Sequence, residues 1–263
     1  MTLTEEQLSA FERALREKRA LQYDSDYESL HGPWFLEVEF DLLKKLLNPT
    51  KGDIILDLGC GTGRLTTRFA ALCRRVVAVD RSKGSLEVLR DRASGTGTSN
   101  IDIVLADLTQ SLPVQLAATK AFSVQLLQHI PSAEGRRDVI RRVYGALAPG
   151  GAAVFLDEVH ALSRQLRSKP REVARKDSLY FHPFTPQEIR KELRSVGFGS
   201  VWTVGCGVLY WTKYRILSRA LTRVDVLLSS LPGMPWISKF VATIGIKSPN
   251  EDVLPSPQTD AWG

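Results

Sequence analysis

Of the chain's 263 residues, 43% are hydrophobic and 24% charged, enough apolar material for a folded core, which excludes wholesale disorder. No run of about 18 apolar residues occurs, which excludes a transmembrane helix, and the charged start MTLTEEQLSAFERALREKRA lacks a signal-peptide core, so a cytoplasmic protein is expected. The net charge of +6 permits nucleic acid or an anionic membrane surface as partner and requires neither, while three scattered cysteines, Cys60, Cys73 and Cys206, suit a reducing compartment without disulfides or a zinc cluster.

Thr4 and Gln7 form a capping box ahead of Leu8, Phe11 and Leu15, so a helix is predicted to start there. Residues 23–35 are rich in aromatics and turn formers. Short apolar runs then predict strands at 53–58, 75–80, 101–106, roughly 118–124 and 151–156. The fourth is the weakest, because Lys120 interrupts it. Near-continuous apolar runs suit parallel strands covered on both faces, and helical segments between most of them make the class α/β. Thr185, Pro186 and Glu188 mark a further helix start, with Gly197 fitted to end it. Two more strands are expected at 200–208 and 238–246, and the three prolines after Lys247 predict a flexible tail over 248–263.

An insertion over 209–237 separates those last two strands. Trp211, Tyr214, Leu217, Leu221, Val224, Leu228 and Leu231 recur at three- and four-residue steps, with Lys213, Arg215, Arg219 and Arg223 mostly opposite. This reads as one amphipathic basic helix. A lid on its own domain is the expected role, with a membrane-surface helix or a dimer contact as alternatives.

The most informative segment is Ile55 to Leu65, whose glycines Gly59, Gly61 and Gly63 follow a strand and precede a helix predicted over 64–72. The spacing is G-x-G-x-G, and Arg64 stands where the dinucleotide pattern needs its third glycine. Asp57 precedes the first glycine; a carboxylate there repels a pyrophosphate and suits a cationic ligand group. Cys60, in the loop, reads as filler rather than a nucleophile.

The run Asp57-Leu-Gly-Cys-Gly-Thr-Gly63 resembles the first motif of class I S-adenosylmethionine-dependent methyltransferases. Asp80, Ala106-Asp107-Leu108, the run Ser123 to Pro131, Phe184 to Phe198 and Phe240 to Lys247 follow in the family's order. The resemblance implies a Rossmann-like seven-stranded, mostly parallel sheet with helices on both faces. Its last strand is antiparallel and lies between the fifth and sixth. It implies a methyltransferase domain over 35–247, preceded by an N-terminal helix and aromatic lid segment over 1–34.

It further implies S-adenosyl-L-methionine as cofactor. Asp57, Gly59, Gly61, Gly63, Arg81 and Ser123 would surround it, Asp80 would take the ribose, and Asp107 with the Leu108 amide the adenine. Tyr23, Tyr27 and Trp34 are lid candidates. Asp157, Glu158 and His182 are candidates for the substrate side. A magnesium site at Asp157, Glu158 and His160 is not expected, since other ligands of the metal-binding members have no match.

His129, following the fourth strand, is the candidate general base, because its free pKa lies near neutrality. The motif that holds a flipped base in amino-methylating DNA enzymes is absent, so nucleic acid is not expected as substrate. The activity implied is methyl transfer to a small-molecule acceptor, with a hydroxyl oxygen favoured. The alternatives are a quinone or lipid-linked acceptor at the membrane surface, or a non-catalytic cofactor-binding partner subunit.

Overall fold

The computed structural model describes residues 4–31, 33–114, 117–159, 173–175, 178–211 and 219–249. Thr4 caps the first helix, α1 (Glu5–Arg19): its Oγ1 accepts from the Gln7 amide, and the Gln7 side chain accepts from the Thr4 amide. A 3-10 turn (Ala20–Gln22) leads into α2 (Tyr23–His31), and Pro33 opens α3 (Pro33–Leu47), where a missing N–H costs no helical bond. The aromatic segment that reads as turn-rich is therefore helical.

The sheet strands then succeed one another as β1 (Ile54–Leu58), β2 (Arg75–Asp80), β3 (Ile101–Leu105), β4 (Ala118–Val124) and β5 (Leu147–Glu158). Between them come α4 (Thr66–Ala70), α5 (Lys83–Gly95) and α6 (Ala133–Ala146). Helix α4 is shorter than expected, and β5 longer, because Leu147 already pairs with Ala118 ahead of a register shift. A two-stranded ribbon follows, β6 (Val173–Arg175) against β7 (Ser178–Phe181). Next is α7 (Pro186–Val196), whose box at Thr185 and Glu188 is complete and whose C-cap, Gly197, has φ +120°. The chain closes with β8 (Ser200–Cys206), α8 (Arg219–Leu228), the single turn α9 (Met234–Ile237) and β9 (Phe240–Ile246).

The seven-stranded sheet has the order β3-β2-β1-β4-β5-β9-β8. Strands β1 to β5 are parallel, and β9 runs antiparallel between β5 and β8. Alternate residues feed two layers, as the pleat requires. Ile55, Phe122 and Val154 pack toward Phe35, Val38 and Leu42 of α3. Leu56, Ala121 and Phe155 pack toward Val139 and Val143 of α6 and Ile189 and Leu193 of α7. Both faces are covered, which is why these strands carry near-continuous apolar runs.

The insertion is not one amphipathic helix over 209–237. A 3-10 turn (Val208–Trp211), α8 and α9 occupy its described part. Residues 212–218, with Lys213, Tyr214, Arg215 and Leu217, lie outside the described residues, as do His160 and the tail from 250 onward. Helix α8 packs on α3 and β8 through Thr222, Asp225, Val226 and Ser229, all at most 8% exposed. Val224 and Leu231, read as part of the buried stripe, are 42% and 46% exposed. Two inward polar groups find backbone partners: Asp225 Oδ1 accepts from the Val208 amide at 2.8 Å, and the Ser229 hydroxyl donates to the Asp225 carbonyl at 2.7 Å.

Candidate active site

At the C-terminal ends of β1 to β4 lies a cleft of about 910 Å³ counted to its mouth. Gly59 and Gly61 form part of its floor. Gly61 has φ +54°, and a Cβ built there meets nothing within 4 Å, so its backbone faces open space. Its amide donates to Asp80 Oδ2 at 2.8 Å, while Asp80 Oδ1 accepts from the Ser82 amide at 2.8 Å. Asp80 thus locks the loop and still offers carboxylate lone pairs to the cleft. Asp107 sits at the next strand end and holds the Thr109 amide and hydroxyl. Arg81, Leu108 and Tyr23 complete this part of the lining.

The roof comes from α1, which lays Ser9, Glu12 and Arg16 over the cleft. Arg81 donates to Ser9 Oγ at 2.9 Å and pairs with Glu12 at 3.1 Å and Asp107 at 3.8 Å. The Glu12 carboxylate is 4% exposed, 4.0 Å from Arg16 and 3.7 Å from His129 Nδ1. Burial pushes it up to about 7, against the pull of Arg81 and Arg16 and with a push from Asp80. These roof residues escape a sequence reading, because acidic and basic residues on a helix read as a solvated face. The signal was Glu12 one turn after Leu8, an acid placed on the apolar stripe. Gln125 also lines the cleft, with a positive φ of 55° that a non-glycine residue seldom adopts.

His129 lines the cleft, but both its ring nitrogens are engaged. The Gln128 carbonyl oxygen accepts from the Glu158 amide at 2.6 Å, which turns the Gln128 amide nitrogen toward His129 Nε2 at 3.3 Å. This network assigns the proton to Nδ1, which donates to the Tyr180 carbonyl at 2.8 Å. Burial, then the charges of Arg16 and Arg81, lower the imidazole to about 3. It is neutral at physiological pH and a weak proton acceptor.

Several residues expected in the site lie elsewhere. Asp57 shares the β1 face of Ile55, is 3% exposed and accepts from Thr66 Oγ1 at 2.6 Å; it ties the loop to α4. Burial raises it to about 7. A Cβ on Gly63 would run into Leu89 rather than the cleft. The Ser123 hydroxyl is fully buried with no hydrogen-bond partner. Asp157, fully buried, accepts from the Gln128 amide at 3.1 Å and holds the turn Leu127–His129 behind the cleft wall. Burial raises it to about 7.

Glu158 pairs with Lys239 at 2.7 Å, and His182 packs edge-on against Phe184 in a groove between α6 and α7. Tyr27 donates to Glu39 at 2.6 Å beneath the Arg64 guanidinium, 3.5 Å from its ring, and Trp34 packs on Phe35. Of the three lid candidates Tyr23 lines the cleft, because α2 and α3 turn the other two into the core layer. Among the described residues none of the insertion lines the cleft, and α8 lies away from it. Among the described residues no group of three His, Cys, Asp or Glu has a metal-holding arrangement, and no helix is long and apolar enough to cross a membrane.

Residues 55–151 match a family model described as a methyltransferase domain. The 23S rRNA (uracil(1939)-C(5))-methyltransferase RlmD of Marinomonas sp. is 37% identical over 70 residues, covering 27% of this chain and 16% of that protein. A probable cobalt-precorrin-6B C(15)-methyltransferase (decarboxylating) of Methanothermobacter thermautotrophicus is 28% identical over 48% of this chain and 62% of its own length. The cypemycin N-terminal methyltransferase of a Streptomyces species is 34% identical over 41% and 43%. The chain spans less than two thirds of each of these relatives.

Among solved structures, the DhpI-SAM-HEP complex superposes with a TM-score of 0.65 at 20% identity, covering 93% of this chain and 99% of that one. An S-adenosylmethionine-dependent methyltransferase of Clostridium acetobutylicum gives 0.63 at 14% identity, covering 86% and 98%. Both likenesses are of fold. Residues 55–151 thus match a methyltransferase domain, and the chain shares its fold with S-adenosylmethionine-dependent methyltransferases of solved structure.

Proposed function

We propose that this chain methylates the hydroxyl oxygen of a small molecule, with Glu12 taking the hydroxyl proton. The observation that carries the reading is a buried carboxylate roofing the cleft beside Arg81 and His129. S-adenosylmethionine supplies a methyl group on a sulfonium, activated for in-line displacement. The open backbone at Gly61 and the acceptor oxygens of Asp80 fit its ribose side, and Asp107 with the Leu108 backbone fits its adenine side. Ionised Glu12 accepts the proton, and Arg81 and Arg16 keep that carboxylate in place between turnovers. His129, neutral and held at both nitrogens, orients the wall rather than titrating. The cover of α1 over the cleft supports a small acceptor rather than a polymer.

Two measurements test this. Calorimetry should detect S-adenosylmethionine binding, and Asp80→Ala should weaken it by roughly 1.5–3 kcal/mol, the range for hydrogen bonds to a charged group. Unchanged affinity in a folded variant removes Asp80 from the cofactor site. A panel of phenols and alcohols incubated with methyl-labelled cofactor should yield a labelled ether. Label appearing on amines, carbon or RNA instead overturns the hydroxyl assignment.

A further inference from the structure

We infer that the outer face of α8 and α9 is a docking surface for an anionic lipid membrane. Helix α8 spends its polar side inward and leaves Leu227, 67% exposed, beside Val224 and Leu231 in water. Ile237 on α9 is 46% exposed. Among the described residues eight large apolar side chains are exposed, and four of them fall between 224 and 237. Scattered exposed apolar residues need no explanation, but a cluster on one insertion does.

The exposed charges between 219 and 239 have one sign. Between 219 and 239 the single acidic residue is Asp225, and it is fully buried against the Val208 amide. Arg223 is exposed on α8, and Lys45 reaches from α3 to the Ser230 hydroxyl at 3.2 Å with Lys44 exposed next to it. Apolar side chains bordered by cations, with no exposed acid between 219 and 239, complement an anionic lipid surface. They do not complement a second copy of this +6 chain, since a symmetric contact would set Arg223 and the lysines against themselves.

Topology gives the contact a direction. Because β9 is antiparallel to both neighbours, β8 runs with β1 to β5, and the insertion leaves the sheet at the edge that holds the cleft. A chain resting on lipid through this insertion has its strand-end edge near the headgroups. The docking itself does not depend on the methyl acceptor proposed above.

Flotation of the full chain with vesicles decides the matter. At low salt the wild type should float with phosphatidylcholine vesicles holding about one third phosphatidylglycerol, and not with pure phosphatidylcholine. High salt should release it. Leu227→Glu and Arg223→Glu should each lower the bound fraction by about tenfold or more with unchanged thermal melting, as both side chains are exposed. Leu105→Glu, an exposed leucine on β3 at the opposite sheet edge, should float as the wild type does.

Wild type that ignores anionic vesicles at low salt overturns the inference, as does undiminished flotation of Leu227→Glu. A dimer in light scattering that Leu227→Glu splits assigns the face to a second copy and overturns it too. S-adenosylmethionine calorimetry on the same samples reads the methyl-transfer proposal separately, so either can fail alone.

Discussion

Glu12→Gln should lower turnover of a hydroxyl acceptor by roughly 10²–10⁴-fold, the usual contribution of a positioned base, with cofactor affinity changed by less than about threefold. Wild-type turnover should climb with pH and level off above about 7, because the ionised carboxylate is the working form and burial raises Glu12 to about 7. Stability should move the other way. The folded state holds the Glu12 proton more tightly than the unfolded chain, whose value is 4.5, so this contribution is full below about 4.5 and lost as pH rises through about 7.

Glutamine mimics the protonated acid and removes that loss. The variant should therefore match or exceed wild-type stability at pH 8 while losing activity, a combination that simple structural damage does not produce. His129→Gln should leave the limb near pH 7 in place, since His129 lies near 3 and both its nitrogens are engaged. A limb that vanishes with His129 and survives in Glu12→Gln reverses the two roles.

The difference between these residues explains what the sequence could disclose. Strands covered on both faces must be apolar, so 53–58 and 75–80 stood out, and Asp80 and Asp107 followed as acids at strand ends on the ligand edge. Local chemistry also carried the capping boxes at Thr4 and Thr185 and the left-handed Gly197.

What the motif order could not disclose is which way a strand-end side chain points. Asp57 keeps the pleat phase of Ile55 and goes inward to Thr66, and Asp157 goes inward to the turn behind His129. Glu12 was hidden for the converse reason, since a polar helix discloses nothing of what it covers until the tertiary contact to Arg81 exists. In α8 a three-and-four spacing fits more than one face. Asp225, Thr222 and Ser229 win the buried side, where a backbone amide meets one Asp225 oxygen and a backbone carbonyl meets the Ser229 hydroxyl.

The glycines of the loop should separate in the same physical way. Gly63 has φ +76°, and a Cβ there would lie 2.2 Å from Leu89 Cδ1, a fully buried side chain packed with Ala78 and Leu86. Gly63→Ala therefore combines a left-handed backbone, about 1–2 kcal/mol, with overpacking, about 1–3 kcal/mol. A loss near 3 kcal/mol lowers the melting temperature by roughly 6–12 °C in a chain of this size. Gly61→Ala carries the backbone cost alone, since its methyl meets nothing within 4 Å. It should melt within a few degrees of wild type yet bind S-adenosylmethionine at least about tenfold more weakly, because the methyl stands in the cleft. Scanning calorimetry and titration calorimetry on the pair check both halves. Normal binding by Gly61→Ala puts the cofactor off this floor, and wild-type melting of Gly63→Ala shows that Leu89 can yield.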